Sequence, residues 1–153
     1  MSNKSPGCCV LLPCSSECLW AVPQRCLGEI VTVPSTEEFP PAEISWRGQV
    51  VPVVDFGSKD VQPWRDHRGG AGLVAVILGR RDEACQYFGV AVRGGVLGVS
   101  SLCDDEIEDL PHTELDFSTA AFRMNDNIYQ VPDLLALQRA IGEGHAHSII
   151  SAR

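Results

Sequence analysis

Lysine is nearly absent from this chain. Lys4 and Lys59 are the only two, and twelve Lys and Arg together face twenty acids, for a net charge of −8. Nucleic-acid modules carry a basic footprint, so this balance argues against one. Long apolar runs are also missing. The longest, Gly72 to Gly79, is far below the roughly 20 residues of a membrane-spanning helix, which argues against membrane insertion. Metal and phosphate signatures are scarce too. There is no C-x-x-C pair, and Cys14 and Cys18 have no partner pair with zinc spacing. Neither a G-x-x-x-x-G-K-[ST] loop nor a G-x-S-x-G elbow occurs, and Gly94-Gly95-Val96-Leu97-Gly98 does not open a helix. His145 and His147 could share a strand face, but they lie in a Gly-flanked terminal segment. Asp104-Asp105-Glu106 does not match a calcium loop. The expectation is no metal, no cofactor and no catalytic residue.

What is present points to a β protein. The 153 residues suffice for one domain with a core. Fourteen glycines and ten prolines favour short strands joined by turns. Seven cysteines, an odd number, together with a polar start at Met1–Gly7, favour free thiols in a reducing, cytoplasmic setting. Seven acids and no Lys or Arg lie between Ser101 and Ser118, as a solvated run or a surface for a basic partner.

The pattern along the chain gives about nine strands. After a tail at 1–8, residues 9–22 read as a β-hairpin with a turn at Pro13–Glu17. Cys26–Val33 alternates, placing Leu27, Glu29, Val31 and Val33 on one face. Gln49–Phe56 is a strand, and Pro52 within it predicts an edge or a bend. A Gly- and Pro-containing connection spans 57–72. Leu73–Gly79, Tyr87–Val92, Val96–Val99, Ala120–Met124 and Ile128–Val131 follow as strands. The period then changes: Pro132–Gly142 reads as a helix with Leu134, Leu137, Gln138 and Ile141 on one side, followed by a tail at 142–153. Two small β-barrels sharing a core would absorb these elements, one lobe mainly from 9–56 and the other from 73–131.

The segment Trp46-Arg47-Gly48-Gln49-Val50-Val51-Pro52-Val53-Val54-Asp55-Phe56 resembles the Arg-Gly strand motif of the CheW-like domain family. Glu29-Ile30, Gly98-Val99, Asp105-Glu106-Ile107-Glu108 and Asp133-Leu134-Leu135 match further landmarks in order. The resemblance spans 9–141. It implies a mainly β fold of two five-stranded SH3-like barrels with a C-terminal helix. It also implies an adaptor without enzymatic activity, coupling a chemoreceptor's cytoplasmic tip to a CheA-type histidine kinase in chemotaxis or pilus-driven motility. The run Pro41–Trp46 departs from the family's usual residues before Arg-Gly.

The candidate interface residues are Leu27, Glu29, Val31, Trp46, Arg47 and Gly48, with Pro52 and Asp55 as structural motif positions. Glu29 on an apolar face needs a partner, and the planar fork of Arg47 suits it, unless Glu29 points to solvent. Trp46 is either a core plug or an exposed contact residue. Asp55 caps the Gly57-Ser58 turn. The alternative reading is a small β-barrel enzyme or redox protein that uses a cysteine of depressed pKa.

Overall fold

In a computed structural model the described residues are 8–15, 18–36, 39–57, 64–65, 70–83, 85–93, 98–101, 107–112, 117–124 and 126–144. The tail at 1–7, most of the acidic run and the histidines at 145 and 147 lie outside them, as does most of the 57–72 connection.

The strands are β1 (Cys8–Ser15), β2 (Cys18–Pro23), β3 (Leu27–Pro34), β4 (Glu43–Trp46), β5 (Gln49–Val54), β6 (Ala71–Leu78), β7 (Tyr87–Val92), β8 (Gly98–Ser101), β9 (Glu108–Asp109), β10 (Ser118–Met124) and β11 (Asn127–Pro132). Helix α1 is Leu134–Gly142. They form a six-stranded sheet, β8-β1-β2-β11-β10-β9, and a five-stranded sheet, β3-β6-β7-β5-β4. The mainly β, two-sheet reading holds. The sheets carry six and five strands rather than five each, because the two-residue β9 adds to β10.

The lobes do not divide at the 57–72 connection. The opening hairpin β1–β2 joins β8 on one side and, through a parallel pairing of Tyr129 with Leu19, β11 on the other. Conversely, β6 and β7 complete the sheet begun by β3, β4 and β5. Each sheet is therefore built from both halves of the chain. Alternation explains why this crossing packs well. Val10, Leu12 and Cys14 of β1 and Cys18, Trp20 and Val22 of β2 point to one face. Ala75 and Ile77 of β6 and Phe88, Val90 and Val92 of β7 meet them. The helix adds Leu137 and Ile141 to this central core. A side chain such as Phe88, fully buried here, contributes about 1.5–3 kcal/mol by leaving water. The outer faces hold smaller clusters, Ala21, Phe122, Met124 and Tyr129 under one sheet and Trp46, Val51 and Val76 under the other.

Two local expectations change. Pro52 lies in a strand flanked on both sides, not at an edge. Its missing N–H is tolerated because the ladder to β7 starts one residue later, at Val53 opposite Gly89, while Pro52 itself stands opposite Glu43 at the start of β4. Helix α1 starts at Leu134 rather than in the Pro132 turn. Asp133 is its N-cap, and its carboxylate accepts from the Ala136 N–H at 3.1 Å.

Two polar side chains tie the helix to the five-stranded sheet: Arg139 donates to the Glu83 carboxylate at 3.2 Å near the surface, and Gln138 bonds from within. Gln138 is buried, and its Oε1 accepts from the Arg80 N–H at 3.0 Å. Its Nε2 donates to the carbonyls of Arg80 at 2.7 Å and Cys85 at 2.6 Å. The β6–β7 turn thus has its backbone groups satisfied by α1.

Candidate functional site

Trp46, Arg47, Gly48 and Gln49 form the tip of the β4–β5 hairpin, with Trp46 directly opposite Gln49. A two-residue loop of this kind follows the strand twist only when both central residues have positive φ. Arg47 has φ 51° and Gly48 φ 79°. Gly48 is at ease there, whereas an arginine in the left-handed region is strained. The turn therefore holds a bulky cationic side chain at a position where Asn or Gly would fit better.

Three interactions hold that side chain and its neighbours. The Arg47 guanidinium lies over the Trp46 ring, 4.6 Å from its centroid. An Arg47 Nη stands 3.8 Å from a Glu29 carboxylate oxygen, with 70 % and 50 % of the two side chains exposed. The Trp46 indole N–H donates to that same Glu29 oxygen at 2.8 Å. Trp46 itself is only 8 % exposed and meets Tyr87 edge-on at 5.4 Å. It is a core plug, and the exposed-contact alternative does not hold. At the other end of the ring, Gly28 makes room: a Cβ there would lie 3.3 Å from Trp46 and 2.9 Å from Leu78.

Glu29 is paired, as expected, but for a different reason. The β3–β6 register shifts between Leu27 and Glu29. This bulge breaks the alternation and turns Leu27 and Ile30 toward the central core. Val31 packs instead beside Trp46, Val51 and Val76. Glu29 shares its face with Val31 and not with Leu27. It sits at the open end of that face, half exposed, so no buried charge has to be compensated.

Glu29, Trp46, Arg47 and Gly48 are thus gathered where β3 meets the β4–β5 tip, with Val31 partly buried beside Trp46, whereas Leu27, expected with them, packs into the central core on the other face because of the bulge. Asp55 is elsewhere and structural. It accepts from the Gly57 N–H at 3.0 Å, as its turn-capping role requires. Sequence reasoning missed its main partner: Arg93 donates to both Asp55 oxygens at 2.7 Å. It also missed Val50, two residues beyond Gly48 and 67 % exposed, which adds an apolar element beside the hairpin tip. Its position in a Val-rich strand gave no sign of which valine would face out.

The described thiols give little support to cysteine chemistry. Cys14 and Cys18 are buried, and Cys9, Cys26 and Cys85 are partly buried. Burial pushes the Cys85 thiol up from its ordinary pKa, against a smaller opposing effect of the Tyr87 backbone. Among the described residues no three His, Cys, Asp or Glu side chains could hold a metal ion together, and no helix is long and apolar enough to cross a membrane.

Two sheets with interleaved halves and a closing helix define a CheW-like fold. One solved structure that carries this likeness is the scaffolding protein TtCheW from Thermoanaerobacter tengcongensis. The TM-score is 0.56 at 17 % identity, covering 86 % of this chain and 92 % of that one. No protein-family model and no curated protein matches the sequence.

Proposed function

We propose that this chain is a non-enzymatic, cytoplasmic adaptor of a chemosensory pathway, joining a chemoreceptor to a CheA-type histidine kinase. The observation that carries this reading is the hairpin tip. Arg47 is held in a strained turn, stacked on Trp46 and leaning on Glu29, with most of its side chain in water. Strain kept at an exposed cation serves the fold poorly and serves recognition well. The fold it shares with a scaffolding protein supports the same reading.

Affinity capture from the native cell extract, with bound proteins identified by mass spectrometry, tests it. Recovery of a histidine kinase or a chemoreceptor is expected. Recovery of neither, or a turnover that tracks one cysteine, contradicts it.

A further inference from the structure

The outer strands β3 and β4 of the five-stranded sheet run antiparallel past each other without a ladder between them among the described residues. At one end Trp46 bridges them through Glu29 and Gly28. At the other end they part, leaving a groove of about 560 Å³. Val31, Val33, Pro34, Phe39 and Ile44 form its apolar walls, with Phe39 60 % exposed. Among the described residues Glu43 is the only ionisable side chain lining it.

Two features define what fits. Outer strands present backbone N–H and C=O groups sideways, and an extended peptide satisfies these where a helix cannot. Pro34, Pro40 and Pro41 offer no N–H, so the usable ladder is short. The charge is one-signed as well: Glu43 in the groove and a chain of net charge −8 favour a cationic occupant. We propose that this groove takes a short, extended, apolar segment of a partner protein carrying Lys or Arg, added as a strand along β3. The proposal goes beyond the adaptor reading and does not depend on it, since it uses strand edges rather than the hairpin tip.

The test uses the full chain and three fluorescein-labelled peptides of equal length: alternating Val and Lys, alternating Val and Glu, and the Val–Lys peptide with alternate backbone nitrogens methylated. Anisotropy is expected to show saturable binding of the Val–Lys peptide. The Val–Glu peptide should bind at least about tenfold more weakly, and methylation on the ladder side should abolish binding. Phe39 and Glu43 are exposed, so Phe39→Ala and Glu43→Lys should keep the fold, checked by circular dichroism. Phe39→Ala should weaken binding, and Glu43→Lys should reverse the preference between Lys and Glu peptides. Amide shifts in NMR spectra should concentrate in 31–35 and 39–45. Equal binding of the three peptides, no saturation by about 1 mM, or shifts centred elsewhere would overturn the proposal. So would self-association whose shifts map to the groove, which would assign it to a second copy of the chain.

Discussion

Arg93 and Asp55 form a two-pronged ion pair, both bonds 2.7 Å long, with only 2 % and 9 % of their side chains exposed. The pair joins the end of β7 to the end of β5, while the Arg93 N–H donates to the Pro13 carbonyl of the other sheet at 2.8 Å. One residue thus ties together three chain segments at the junction of the two sheets. Removing a single partner leaves the other charge buried, so Arg93→Ala should destabilise by about 3–5 kcal/mol. Urea unfolding should show a lower midpoint with an unchanged slope. A paired replacement, Asp55→Leu with Arg93→Met, should cost less than the two single changes added together.

The hairpin tip behaves differently because it is exposed. Arg47→Ala should cost less than about 1 kcal/mol, since the Glu29 pair is half in water. Arg47→Asn should be neutral or stabilising by up to about 1 kcal/mol, because Asn-Gly suits a turn with two positive φ values. Thermal melts of the two variants check this ordering. Gly48→Ala should be destabilising, having φ 79° to sustain.

Gln138 is the buried polar pin between α1 and the β6–β7 turn, beside the more exposed Arg139–Glu83 pair. Gln138→Leu fills similar space but leaves the Arg80 N–H and two carbonyls without their partner. The expected loss is about 2–4 kcal/mol. Hydrogen exchange should report it as faster exchange of the Arg80 amide in particular.

The thiols should be slow nucleophiles. Because burial raises the Cys85 pKa, its thiolate fraction at neutral pH is below that of an ordinary cysteine. Alkylation followed by peptide mass spectrometry should find Cys85 labelled slowly at pH 7. The rate should go on rising at pH values where a free thiol has already levelled off. A single fast-reacting thiol at neutral pH would favour the enzyme reading.

The elements with a clean period were legible in the sequence. Tyr87–Val92 is a strand with the expected bounds, and Leu137, Gln138 and Ile141 share the buried side of the helix. The Arg-Gly strand pointed to the right fold. Three things were not legible, each for a physical reason. The bulge beside Gly28 shifts Glu29 off the face of Leu27, and a bulge leaves no mark in simple alternation. Strand β4, Glu-Ile-Ser-Trp, does alternate, with Ile44 and Trp46 inward, but four residues between turn-rich segments are too short a run to stand out, and pairing with β5 sets its bounds. The Asp55–Arg93 pair spans 38 positions, and only the parallel pairing of β5 with β7, strands from different halves of the chain, brings the two strand ends together.

The central claim is that the exposed guanidinium of Arg47 is kept for a partner rather than for the fold. Calorimetric titration of the purified regulatory domain of the captured histidine kinase into the wild-type chain and into Arg47→Asn tests it most directly. The account predicts saturable binding to the wild type and at least about tenfold weaker binding to a variant that melts no lower. Equal affinity for the two proteins would contradict it.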